Sequence, residues 1–124
     1  MILVDTSVWV DHLRRREPGL AAALDAGQVL MHPFVLGELA CGNLKQRAEV
    51  LALLRDLPSA PLATEVEALD FIDRRRLMGQ GLGYIDVHLL ASVVLSGAAM
   101  LWTRDKRLAL IAGNLGLEFR KERT

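Results

Sequence analysis

Four acids stand where the surrounding sequence is apolar. Asp5 follows directly on the branched run Ile2-Leu3-Val4, and Asp105 lies just past a stretch that ends in Leu101-Trp102-Thr103. Glu38 follows Phe34 by four residues and Val35 by three, and precedes Gly42 by four. That spacing sets it on the apolar face of a helix. Asp86 shares a helix face with Leu89, Leu90 and Val93. Taking an ionised carboxylate out of water costs on the order of several kcal/mol unless it is paired or holds a metal. Four such acids in 124 residues ask for one explanation. Hard oxygen donors with no Cys or His among them suit Mg²⁺ or Mn²⁺ rather than zinc. Such a set suits metal-assisted phosphoryl transfer to water. The competing reading is that two or more of these acids are helix caps or surface charges. Asp25, Glu49, Asp56, Glu65, Glu67, Asp70, Asp73 and Glu122 read as ordinary surface acids.

The elements that must position the four acids follow from local signals. Ile2–Val4 reads as a buried strand, and Asp5-Thr6-Ser7 can cap a helix running to about Arg15. Pro18 opens a second helix that Gly27 stops, and residues 28–31 read as a strand. Pro33 opens a helix that Gly42 closes. An amphipathic helix is expected over Lys45–Leu57, with a weak strand near Pro61–Ala63. A further helix runs from Thr64 to about Met78. The string Gly79-Gln80-Gly81-Leu82-Gly83 follows a helix rather than a strand. It therefore lacks the setting of a phosphate-binding fingerprint and reads as a flexible connection. Tyr84–Ser96 is an apolar helix, Ala98–Thr103 a strand, Leu108–Ala112 a helix and Leu117–Phe119 a last short strand. Strands alternating with helices predict an α/β fold: a three-layer α/β/α sandwich around a central parallel sheet, in a single domain over 1–124. Ligands of such sheets bind beyond the carboxyl ends of the strands, which is where Asp5 and Asp105 fall. The N-terminus of the Asp86 helix is expected on that edge, with Glu38 reaching it from the side.

Composition narrows the classes. With 52% hydrophobic and 24% charged residues the chain is expected to be globular and without a membrane span. Met1–Val4 meets Asp5 at once, so no signal peptide is expected and the expected location is the cytoplasm. One Cys and three His argue against structural zinc. Fifteen basic and fifteen acidic residues give no net charge, so any nucleic-acid contact must come from local patches. The basic runs are Arg14–Arg16, Arg74–Arg76, Arg104–Arg107 and Arg120–Arg123, each of which also reads as a solvated helix end or tail.

At the four acids the chain resembles the PIN-domain nucleases, and their VapC-type toxin branch in particular. The opening Met1-Ile2-Leu3-Val4-Asp5-Thr6-Ser7-Val8-Trp9-Val10 is similar to the first motif of that family. Leu36-Gly37-Glu38-Leu39-Ala40 is similar to the second, Tyr84-Ile85-Asp86-Val87-His88 to the third, and Thr103-Arg104-Asp105 to the fourth. Where many relatives carry a further acid after the fourth, this chain has Lys106-Arg107-Leu108. Where they often have Ser or Thr ahead of the second, it has Pro33-Phe34-Val35.

The resemblance implies a PIN-like parallel-sheet fold and a Mg²⁺- or Mn²⁺-dependent endoribonuclease, the toxin of a toxin–antitoxin pair. Asp5, Glu38, Asp86 and Asp105 would be catalytic. Asp5, Asp86 and Asp105 would ligate the metal, and Glu38 would act through water or as a base. Thr6, Ser7 and Thr103 would orient the carboxylates, with helix capping as the other role for Thr6 or Ser7. Arg104, Lys106 and Arg107 would contact phosphate, or form a solvated turn. The implied partners are RNA, a VapB-like antitoxin covering the active site, and a second copy in a homodimer through the apolar helix Tyr84–Ser96. The antitoxin groove is expected between Lys45–Leu57 and Thr64–Met78. Cys41 reads as a buried small residue, His88 as packed or exposed, and His12 and His32 carry no signal. Trp9 and Trp102 adjoin the acids and read as core or as base-stacking surfaces. Two other classes compete: a phospho-accepting receiver-like domain, similar in length and with a parallel sheet, and a non-catalytic binding module on the same fold. The first would show adjacent acids after the first strand, and the second would lack one of the four.

Overall fold

A computed structural model describes residues 1–120. Its elements run β1 (Ile2–Val4), α1 (Thr6–Arg14), α2 (Pro18–Asp25), β2 (Val29–Leu30), α3 (Pro33–Ala40), α4 (Arg47–Arg55), α5 (Glu65–Arg75), α6 (Tyr84–Ser96), β3 (Met100–Trp102) and α7 (Lys106–Asn114). The sheet order is β2-β1-β3, and both pairings are parallel. Successive strand residues point to opposite faces. Ile2, Leu3 and Val4 are all buried, so the sheet is covered on both sides. That is the layering of an α/β fold with a central parallel sheet.

Single bridges extend the sheet at each edge, Met31 to Ser59 and Leu101 to Glu118. The first corrects the strand expected at Pro61–Ala63. Pairing occurs two residues earlier, through Met31 N to the Pro58 carbonyl (2.8 Å) and Ala60 N to the Met31 carbonyl (2.9 Å). Pro61 has no N–H to continue the ladder. The strand expected at Leu117–Phe119 is likewise reduced to the bridge at Glu118.

The helices obey local chemistry. Thr64 and Glu67 form a capping box that starts α5. Pro33 sits in the first turn of α3, whose cap is His32; its Nδ1 accepts from Phe34 N at 3.0 Å. In α6 every residue from Val87 to Val93 is buried, which makes it a core helix without a solvent face over that run. Its middle therefore offers no surface to a second copy; Tyr84, Ile85 and Leu95 near its ends are exposed. Among the described residues no helix is long and apolar enough to cross a membrane.

Candidate active site

Strand ends and helix starts coincide on one edge of this sheet, and the acids sit in those junctions. Asp5 leaves β1 and caps α1, its Oδ1 accepting from Thr6 N at 2.8 Å. Asp105 follows β3 and caps α7, its Oδ1 accepting from Arg107 N and Leu108 N at 2.9 and 3.0 Å. Asp86 lies in the first turn of α6, and its Oδ2 accepts from Gly83 N at 3.2 Å. Helix N-termini favour negative charge there. Capping and gathering at one edge are thus the same placement for these acids, not alternatives.

Hydroxyls tie the junctions together. Ser7 Oγ and Thr103 Oγ1 both donate to Asp5 Oδ2, at 2.9 and 2.7 Å. The same two hydroxyls accept backbone N–H groups from the β3–α7 turn. Arg104 N donates to Ser7 Oγ at 3.0 Å and Asp105 N to Thr103 Oγ1 at 3.1 Å. Thr103 is therefore a direct link between Asp5 and the backbone of Asp105. Thr6 Oγ1 donates to Glu38 Oε1 at 2.8 Å, bringing the acid of α3 to the start of α1.

Burial differs from expectation. Asp5 is buried and Asp86 half-buried, whereas Glu38 and Asp105 are exposed. Glu38 shares its helix face with Phe34, which is itself exposed, so that apolar face is not a core face. Asp86 and Asp105 border one recess and Glu38 a separate groove, while Asp5 lies beneath them. Their proximity is nonetheless felt at Asp86. Burial first, then the charges of Asp5, Asp105 and Glu38, push its carboxyl above the usual carboxylate range, while the Gly83 N–H pulls the other way.

The chemistry of this donor set fits a hard divalent cation. It is carboxylate oxygen throughout, backed by hydroxyls, with no thiol or imidazole in it. Like-charge crowding at Asp86 is the stress that a cation would relieve. Among the described residues no three His, Cys, Asp or Glu side chains stand close enough to form a coordination group as they are. Each acid instead accepts hydrogen bonds, Asp86 and Asp105 from nearby backbone and Asp5 and Glu38 in part from distant hydroxyls.

The flanking cations divide. Arg104 is engaged by carboxylates: its Nε lies 2.7 Å from Asp11 Oδ2 and its Nη2 donates to Glu17 Oε2 at 2.7 Å. It is thus held against α1 and the cap of α2. No local signal pairs Arg104 with acids some ninety positions earlier, so Asp11 and Glu17 were not legible as its partners. Lys106 and Arg107 line a cavity of about 400 Å³ together with Gly81, Leu82, Asp86 and Asp105. Of the run Arg120–Arg123, Lys121 to Arg123 lie outside the described residues.

Other side chains separate from the site. Trp9 and Trp102 are buried and offer no face to a base; Trp102 packs on Phe119 with ring centroids 5.1 Å apart. His88 is buried, with its ring edge-on to Phe34 and Tyr84 at 5.0 and 4.6 Å. Cys41 is exposed, contrary to expectation, because it caps the C-terminus of α3. A groove of about 560 Å³ opens beside Glu38, walled by Val10, Leu13 and Arg14 of α1, Leu39 of α3, and Leu44, Lys45 and Val50. Residues of α5 do not line it; α5 packs on α6.

Comparison with known proteins adds two findings. The model of a family described as PIN domain matches residues 2–114. Proteins named Ribonuclease VapC32, from two strains of Mycobacterium tuberculosis, are each 48% identical to this chain over 122 residues, covering 98% of the chain and 98% of each relative.

Proposed function

Since the chain belongs to the PIN-domain family, we propose that it is a VapC-type toxin, an endoribonuclease that hydrolyses RNA phosphodiester bonds. The observation that carries this reading is the set of four carboxylates at helix starts or faces, with the charges of Asp5, Asp105 and Glu38 all bearing on Asp86. Near-full-length similarity to proteins named ribonuclease supports it.

Asp5, Asp86 and Asp105 would hold the divalent cation, Mg²⁺ or Mn²⁺. Bound there, such an ion supplies hydroxide near neutral pH and offsets charge on the phosphate. Glu38 holds the attacking water by hydrogen bond and takes its proton, a task suited to an exposed carboxylate. Thr6 fixes which Glu38 oxygen is free to do so. Ser7 and Thr103 occupy Asp5 Oδ2 and hold its carboxylate in one orientation. Lys106 and Arg107 bring positive charge to the recess that Asp86 and Asp105 border, where the anionic backbone of RNA would approach them.

The proposed partner is a VapB-like antitoxin. A segment of it would lie in the groove between α1 and α3, and an Arg or Lys from that segment would neutralise the carboxylates at the groove's Glu38 end. We place the protein in the cytoplasm, with its RNA, and as a homodimer, which sedimentation would test.

The deciding experiment incubates the purified chain with cellular RNA and Mg²⁺ or Mn²⁺, with and without EDTA, beside Asp5→Asn. Cutting that needs both the metal and Asp5 supports the reading. Cutting that survives EDTA, or full activity in Asp5→Asn, overturns it.

A further inference from the structure

The connection from α5 to α6 contains two glycines with left-handed backbone, Gly79 (φ +74°) and Gly81 (φ +81°). They differ in what a side chain would meet. A Cβ on Gly79 would have nothing within 4 Å. A Cβ on Gly81 would run into Arg107, lying 2.9 Å from its guanidinium carbon and 3.0 Å from its Cδ. The Arg107 side chain therefore rests along the bare backbone of Gly81, in space that only glycine leaves open.

Arg107 belongs to the first turn of α7 and donates its backbone N–H to Asp105 Oδ1. Among the described residues its guanidinium stands in no ion pair, in contrast to Arg104 with its two carboxylates. It borders the cavity shared by Asp86, Asp105 and Lys106. An arginine held beside two carboxylates, yet paired with neither, is free to receive an anion from outside.

We propose that Gly81 is a positioning residue: it seats Arg107 so that the guanidinium binds a phosphate of the RNA strand beside the one that is cut. This rests on the ribonuclease reading. Any side chain at 81 would push the guanidinium aside, and because the displaced group is the end of a flexible side chain, the fold itself would tolerate the change. The matched φ of Gly79 supplies a control with the same backbone penalty and no effect on Arg107.

The test measures binding of a single-stranded RNA to the full chain carrying Asp5→Asn, which leaves the strand uncut, across a series of salt concentrations. Gly81→Ala and Arg107→Ala are each expected to weaken binding about tenfold, the worth of one charge-assisted contact. Each should also flatten the slope of log K against log salt by about 0.7, as expected for one lost phosphate contact on a single strand. The double variant should bind no worse than either single one. Gly79→Ala should bind like its parent. Arg107→Ala with an unchanged salt slope overturns the inference, as does Gly81→Ala that binds like Gly79→Ala. If the unsubstituted chain does not cut RNA with Mg²⁺ or Mn²⁺, the ribonuclease reading fails and takes the inference with it; if it cuts while Arg107→Ala leaves the salt slope unchanged, the inference alone fails.

Discussion

Thr6 Oγ1 donates to Glu38 Oε1 at 2.8 Å across 32 positions of sequence, joining the first residue of α1 to an acid in the last turn of α3. Glu38 is exposed, so this bond rather than packing orients its carboxylate. Thr6→Val should lower kcat for RNA cleavage roughly tenfold, the lower end of what losing such an orienting partner costs. The unfolding midpoint should barely move, and Thr6→Ser should restore the rate. A Thr6→Val enzyme with wild-type kcat would remove Glu38 from the proposed chemistry.

Thr103 serves two acids at once, donating to Asp5 and accepting from Asp105 N. Thr103→Val should cut activity about 10- to 100-fold. It should cost about 1 kcal/mol of stability, since Asp5 is buried and keeps only the Ser7 hydroxyl on that oxygen. Urea titration and RNA kinetics of Thr103→Val, Ser7→Ala and the pair should show non-additive losses, because both hydroxyls converge on one atom.

Arg104 and Arg107 flank the same acid and should behave oppositely. Arg104→Ala loosens an exposed ion-pair clamp and should cost about 1 kcal/mol or less. The salt dependence of RNA binding should be unchanged in it. A flattened salt slope in Arg104→Ala would mean that the arginine leaves Asp11 and Glu17 to meet phosphate.

Asp86 carries its charge at a cost in the metal-free protein, its carboxyl being held above the ordinary range. For a raised acid the penalty is present at neutral pH and disappears as pH falls below the unfolded value. Asp86→Asn should therefore raise the thermal midpoint at pH 7.5, with the gain fading toward pH 4. It should also abolish cleavage and remove the stabilisation that added Mg²⁺ or Mn²⁺ gives the parent. Glu65→Gln, on an exposed turn, is the control.

His32 predicts a second pH effect. Its ring is buried, and burial, with neighbouring His88 adding, pushes it down to about 4 from an ordinary 6.5. Between those values the unfolded chain binds the extra proton. Stability is therefore full above pH 6.5 and is lost as pH falls toward 4, by up to about 1.4 kcal/mol per pH unit. His32→Asn keeps an N-cap acceptor for Phe34 N while removing the titration. Chemical denaturation at pH 4.5, 5.5 and 6.5 should give a flatter dependence in the variant.

Much of this architecture was legible in the chain. Ile2–Val4 is short, branched and buried on both faces, and Tyr84–Ser96 has the bounds that its apolar run and Gly97 announce. Asp5 and Asp105 are readable as strand-end residues because the apolar run stops at them. What failed was anything that depends on the third dimension. Glu38 and Asp105 have apolar neighbours in sequence but open space beside them. Arg104 looks like any basic flank until α1 and α2 bring Asp11 and Glu17 to it. Gly81 looked like one of three interchangeable loop glycines, and only the path of Arg107 distinguishes it.

The central strand pairs with β3, and the hydroxyl that joins them spans 98 positions. Parallel pairing at that separation closes a long loop, and such contacts form slowly. Asp5 and Glu38 can meet early, but Thr103 and Asp105 arrive only when β3 docks. A copy in which β3 has not docked therefore lacks Asp105 and the Thr103 hydroxyl on Asp5. On the proposed reading, docking of the last strand completes the fold and the acid set in one event.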